Sequence, residues 1–101
     1  MRKTPEQKRA EAEARNRLHR ETKALRERQE KLEAELAAAE AELAEVEKLL
    51  ADPEVYEDGA RVKELTLTHR LAEDRVTKLT AEWEALFAEI DAAEARATMP
   101  S

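Results

Sequence analysis

Basic side chains are the residues of this 101-residue chain whose types and spacing suggest a chemistry. Residues 1–31 carry 11 Lys or Arg against 6 Glu, a local net charge of +5 in a chain whose net charge is −6. Arg9, Arg17, Arg20 and Lys23 fall on one outer face when this segment is drawn as a helix. Cations along one face can pair with successive phosphates without reading base sequence. These four residues, called the basic strip, are predicted to contact nucleic acid.

The same segment also has a simpler interpretation as a solvated helix face. Arg17 and Glu21, and likewise Glu27 and Lys31, have the four-residue spacing of helix-surface ion pairs. The acidic total charge opposes nonspecific binding to nucleic acid, and residues 32–60 carry 10 acidic residues against a single Lys. Both interpretations stay open on the sequence alone.

Catalytic and metal-binding patterns are missing from the sequence. It has no Cys and one Gly, and its two histidines, His19 and His69, lie far apart. Carboxylates need a water-excluding pocket to act as acids and bases, and a two-helix protein offers none. We therefore expect no enzyme activity, no metal and no cofactor. His69 is expected to be a partly buried packing residue.

The elements that position the strip follow from one interruption of a helical pattern, at residues 50–59. Pro53 has no backbone N–H and cannot continue a helix, so the chain must turn here. Asp52 predicts an N-cap with proline at the first helical position, and the short turn it starts includes Tyr56. Gly59 is a second weak point. These four hinge residues join two long helices that must lie antiparallel.

Both helical segments keep an unbroken heptad pattern, which is typical of coiled coils. Folding the chain at the hinge pairs a with a and d with d, so that Ala39 faces Ala72 and Trp83 faces the flexible Gln29. The predicted fold is all-α, a monomeric two-helix antiparallel intramolecular coiled-coil hairpin. Its mainly apolar layers run from Leu32 and Leu79 to Leu50 and Val62, whereas Arg15, Thr22 and Gln29 weaken the opposite end.

The domain prediction has three parts. Residues 1–16 form a basic helical linker into the first helix, residues 17–97 form the hairpin, and residues 98–101 form a tail. The first helix is predicted from about Pro5, inside the linker, to Ala51, the loop at 52–58, and the second helix from about Asp58 to Arg96.

Leu67 and Leu71 are apolar residues outside the a and d positions. Two explanations are open. Either both leucines pack against the loop or a neighbouring domain, or the helix is locally over- or under-wound so that Leu71 turns inward. No apolar run has the length of a membrane span, and the start of the chain lacks an apolar signal core.

The hinge sequence and its flanks resemble a known family. Leu-Ala-Asp-Pro-Glu-Val-Tyr-Glu-Asp-Gly at 50–59, followed by Trp-Glu-Ala-Leu at 83–86, looks like the C-terminal coiled-coil domain of Uup-like ABC-F ATPases. Residues 7–16 are similar to the basic helical linker that leaves the second nucleotide-binding domain of such proteins. The resemblance covers most of the chain, although Glu/Ala/Leu heptads by themselves fit almost any coiled coil.

The resemblance implies a cytoplasmic protein with paired ATP-binding cassettes and no membrane spans. Many members bind the ribosome and act in translation, and the Uup-like domain is implicated in binding DNA. Because the ATP-binding motifs are absent from these residues, the resemblance implies a non-catalytic tail of a longer ATPase. Its partners would be the ATP-binding cassettes of the parent chain and nucleic acid, either DNA or ribosomal RNA.

Two alternatives to nucleic-acid binding remain at this stage. The hairpin could be a structural arm that orients or docks against the ATPase core, with its basic end serving solubility or intramolecular pairing. It could instead be a self-association module that uses Leu67, Leu71 and Phe87. The sequence does not distinguish DNA from RNA, because no aromatic stacking platform or base-reading motif is visible.

Overall fold

Two long helices account for most of the described chain. The computed structural model describes residues 2–98, in which α1 spans Pro5–Leu50 and α2 spans Gly59–Thr98. A short 3-10 helix, Pro53–Glu57, lies between them, and residues 2–98 contain no strand. The predicted all-α antiparallel hairpin is confirmed. Of the predicted tail, Thr98 is the last residue of α2, and 99–101 lie outside the described residues.

The start of α1 is fixed by a reciprocal pair of hydrogen bonds. The Gln7 backbone N–H donates to the Thr4 hydroxyl oxygen at 3.1 Å, and the Thr4 N–H donates to the Gln7 side-chain oxygen at 2.9 Å. Pro5 occupies the first helical position, where a missing N–H costs nothing. This capping box begins the helix that carries the basic strip.

Aspartates cap both helices that follow α1. The Asp52 carboxylate accepts from the Glu54 N–H at 3.0 Å, which confirms its predicted N-cap role at the 3-10 helix. The Asp58 carboxylate accepts from the N–H groups of Ala60 and Arg61 at 3.1 and 3.2 Å. The backbone donors exposed at each helix start therefore have acceptors, which stabilises both starts.

The hinge is also tied back to the helix that precedes it. The Tyr56 hydroxyl donates to the Leu50 carbonyl at 2.7 Å, so the last carbonyl of α1 gains a partner that the helix itself cannot supply. Gly59 is the first residue of α2, its φ is not positive, and a Cβ there would have nothing within 4 Å. The turn geometry does not require glycine at this position.

The chain divides into two compact units. The first, called the hinge unit, is Lys31–Trp83. Both helices contribute to its core, and its cross-helix bonds join Glu33 to Trp83, Glu42 to Arg75 and Glu47 to His69. As the residue number rises along α1, the number of its bonded residue on α2 falls, which is the pattern of antiparallel helices. The buried side chains are Ala39 and Val46 from α1, with Leu65, Ala72 and Leu79 from α2.

The second unit, called the terminal unit, combines residues 2–30 with residues 84–98 of the described chain. Its buried residues, Leu86, Ile90 and Ala93, all come from α2. Of the α1 residues at predicted seam positions, Arg15 is exposed and the others are only half-buried. The Thr22 hydroxyl donates to the Leu18 carbonyl at 2.9 Å. The half-buried α1 seam positions are Leu18, Thr22, Leu25 and Gln29.

The two off-register leucines lie at the surface. Leu67 is 59% exposed and Leu71 is 60% exposed, and α2 is a continuous α-helix through both. The alternative in which altered winding turns Leu71 inward is therefore wrong. Neither helix, within residues 2–98, contains an apolar stretch that could span a membrane.

Candidate nucleic-acid interface

The structure places the basic strip along the outside of α1 in the terminal unit. Arg9, Arg17, Arg20 and Lys23 are all exposed. On a helix with 3.6 residues per turn they fall within an arc of about 120°, on the side away from Leu18. With a rise of 1.5 Å per residue, the strip is about 21 Å long. The four positive charges therefore share one accessible face of one helix.

The charged groups of the strip have no counter-ion in the part of the chain that the structure describes. Across residues 2–98, no ion pair or side-chain hydrogen bond involves Arg9, Arg17, Arg20 or Lys23. The four-residue pairs expected under the solvated-face interpretation, such as Arg17 with Glu21, do not form there. An external anion would therefore not have to displace a carboxylate from these cations.

Neighbouring arginines of the same helix are arranged differently. Arg26 pairs with Glu94 of α2, and Arg28 pairs with Glu89 of α2 at 3.9 Å. Both contacts join like heptad positions across the antiparallel seam, the first e with e and the second g with g. These pairs could have been predicted from the sequence, because the two heptad registers alone place the partners at matching e or g positions. Arg26 and Arg28 therefore form ion pairs between the two helices.

Lys3, which precedes α1, is also paired with a carboxylate of α1. Its ammonium group donates to the Glu11 carboxylate at 2.9 Å. That hydrogen bond is the main cause of a lowered pKa for the Glu11 carboxyl, with the positive charges of Lys3 and Arg15 acting in the same direction against partial desolvation. The carboxylate form of Glu11, and with it this pair, is favoured down to lower pH than usual.

The strip is not purely cationic. Glu13 and Glu27 fall within about the same arc of α1, so they lower the local positive potential. Lys31 lies on this face beyond the C-terminal end of the strip. No aromatic residue occurs on α1, because the only Tyr, Trp and Phe of the chain are Tyr56, Trp83 and Phe87. The strip offers charge to a phosphate backbone but no surface on which bases could stack.

The other residues singled out from the sequence, the hinge residues and His69, have structural roles. The hinge residues Asp52, Pro53, Tyr56 and Gly59 are exposed and belong to the hinge unit, where they shape the turn. His69 is half-buried, as expected of a packing residue. Among the described residues, no group of three or more His, Cys, Asp or Glu could hold a metal ion.

The fold and the hinge define a class of protein, the antiparallel coiled-coil hairpin with an Asp-Pro turn. A comparison with protein-family models identifies the family within that class. The ABC transporter C-terminal domain model matches residues 20–88, and the chain belongs to this family. All four hinge residues lie inside the matched range, as do Arg20 and Lys23 of the basic strip. Searches of curated proteins and of solved structures returned no match.

Proposed function

We propose that this chain is the non-catalytic C-terminal module of an ABC-F ATP-binding protein and engages nucleic acid through the basic strip of α1. The parent protein would be cytoplasmic and would supply the ATP-binding cassettes. The observation that carries the proposal is the contrast among the cations of α1. The strip cations are exposed and have no counter-ion among residues 2–98, whereas Arg26 and Arg28 are paired across the seam.

The chemistry of such a contact is ion pairing with displacement of counter-ions. Each phosphate neutralised by an Arg or Lys releases condensed cations from the polymer, and this release supplies the binding free energy. Four side chains on one helix face give a small footprint, so binding is expected to be weak and independent of base sequence. The acidic stretch of α1 from residue 33 to residue 47 would repel phosphates, which restricts contact to the terminal unit.

A second candidate function rests on the exposed leucines of the hinge unit. Leu67 and Leu71 lie four residues apart on α2 and leave apolar surface accessible. An apolar pair of this kind is suited to docking against the ATPase core as a structural arm, or against another copy of the chain. This function needs neither salt-sensitive binding nor the basic strip.

A salt-dependent titration tests the proposal. The chain is titrated into fluorescently labelled duplex DNA, structured RNA and an uncharged polymer control at several salt concentrations. With about four phosphates neutralised, log K against log salt should have a slope of about −3 to −4 on duplex DNA. Binding that ignores salt, or no binding to either nucleic acid, would reject the proposal and favour the structural-arm function.

A further inference from the structure

The outer side of α2 in the hinge unit combines exposed leucines with cations. Leu67 and Leu71 are 59% and 60% exposed, and a shallow depression beside Leu67 includes Lys63 and Arg70 in its lining. On a helix with 3.6 residues per turn, this side covers an arc of about 100° and a length of about 22 Å. Its residues, called the α2 outer face, are all exposed: Lys63, Leu67, Arg70, Leu71, Asp74 and Lys78.

The charge of the α2 outer face is opposite in sign to that of the unit around it. Residues 31–83 carry 7 Lys or Arg against 14 Asp or Glu, whereas the α2 outer face has three cations and one carboxylate. Within residues 2–98, no ion pair or side-chain hydrogen bond involves Lys63, Arg70 or Lys78. The face therefore fits a partner surface that is negatively charged and allows close approach of the leucines.

The outer side of α1 in the same unit has these two properties. Glu45 lies on this side and Glu40 borders it, and both are exposed without a partner in the described part of the chain. Lys48, close to the hinge, is a cation on the same side. The remaining residues of this side, called the α1 outer face, are small and exposed: Ala34, Ala37, Ala38, Ala41 and Ala44. Alanine side chains allow the surface of a second helix to approach closely.

We propose that the α2 outer face of one copy of this chain binds the α1 outer face of a second copy. Leu67 and Leu71 pack on the alanines, and the cations beside them lie against the carboxylates of residues 32–60. Charge complementarity selects this occupant, because two α2 outer faces would bring like charges together, and so would two acidic α1 segments. The proposal narrows the second candidate function to one occupant and does not depend on nucleic-acid binding.

A contact between two unlike faces determines how the assembly grows. In the hinge unit α1 and α2 lie side by side, so their outer faces are directed to opposite sides. A pair of copies then keeps one unused face of each kind, and further copies add to it rather than stopping at a symmetric dimer. Because the faces are short, we expect weak binding, with a dissociation constant of about 0.1–1 mM.

Sedimentation equilibrium of the full chain without nucleic acid tests the proposal. The weight-average mass should rise steadily over about 0.05–2 mM protein and fall when salt is raised to about 1 M. Two double variants each remove one face while circular dichroism checks that they stay helical. They are Leu67→Gln with Leu71→Gln, and Ala41→Lys with Glu45→Lys.

The matched control for the α1 variant makes the same charge change at exposed positions of α2 outside both faces, Glu84→Lys with Ala88→Lys. Each double variant alone should have its dissociation constant raised at least about tenfold, whereas the control should associate like the unmodified chain. An equimolar mixture of the two double variants should form pairs and no larger species. In such a pair, the only intact faces are already in contact.

The proposal is overturned if the unmodified chain keeps the mass of one copy at every concentration, or if it stops at a dimer. It is also overturned if either double variant associates normally, if the control is as impaired as the α1 variant, or if the mixture does not pair. None of these outcomes bears on nucleic-acid binding, because the basic strip is unchanged in every variant.

Discussion

The hinge unit and the terminal unit are built from the same two helices but bury different residues. In the hinge unit, Ala39 and Val46 of α1 are as buried as their counterparts on α2. In the described part of the terminal unit, the buried side chains Leu86, Ile90 and Ala93 all belong to α2, and α1 presents half-buried residues that include Thr22 and Gln29. The half of α1 that is poorly buried is also the half that carries the basic strip.

This difference teaches how one helix can serve two purposes. Apolar burial stabilises a coiled coil roughly in proportion to the area removed from water, so the hinge unit should be the more stable part. The terminal unit buries less apolar surface of α1. Its exposed ion pairs, such as Arg26 with Glu94, add little stability in compensation. The cations of the basic strip form no ion pair across the seam, so they are accessible to an external anion.

The largest expected effect comes from truncating a buried leucine of the hinge unit. Leu79→Ala should lower the free energy of unfolding by about 2–4 kcal/mol, because it truncates a buried side chain. Leu25→Ala, at a half-buried position of the terminal unit, should cost about half as much. Urea unfolding followed by circular dichroism measures both, and equal costs would remove the distinction between the two units.

An apolar residue at Thr22 should reduce the difference between the units. Thr22→Leu adds apolar surface to the α1 seam and improves helix propensity, so we expect a gain of about 1 kcal/mol. Amide exchange at residues 15–30 should slow accordingly. Thr77→Leu, at an exposed position of α2, provides the control for propensity alone. A loss of stability in Thr22→Leu would show that the hydroxyl bond to Leu18 matters more than burial.

A smaller effect is expected at the hinge. Tyr56→Phe removes the hydroxyl that donates to the Leu50 carbonyl and should lower the free energy of unfolding by about 0.5–1 kcal/mol. Thermal unfolding of this variant beside the unmodified chain is the measurement. An unchanged melting temperature would indicate that water replaces the hydroxyl at no cost.

Much of the fold could be predicted from the sequence because coiled-coil packing depends on a short repeat. The heptad registers predicted which residues are buried, and Asp52 beside Pro53 predicted the capped turn, since both depend on local chain chemistry. No sequence pattern predicts the hydrogen bond from Tyr56 to Leu50, because that bond depends on the path of the loop. The capping box of Thr4 and Gln7 did have a signal, a Thr-x-x-Gln spacing around Pro5.

The candidate interface was predictable in part. Helical spacing placed the four strip cations on one face, but it did not show which basic residues would be paired. Arg26 and Arg17 look alike in the sequence, and only their positions around the seam distinguish them. Arg26 reaches Glu94 on α2, whereas Arg17 lies on the far side of α1. Leu67 and Leu71 lie outside the a and d positions, so the heptad repeat predicts no role for them.

Charge reversal of the basic strip tests the central claim most directly. The variant Arg9→Glu, Arg17→Glu, Arg20→Glu and Lys23→Glu is compared with a control that reverses four exposed hinge-unit cations, Lys48, Lys63, Arg70 and Lys78. Duplex DNA affinity at low salt is measured for each, with helicity checked by circular dichroism. The strip variant should stay helical and lose detectable binding, whereas the control should keep most of its affinity. Equal loss in both variants, or binding retained by the strip variant, would contradict the account.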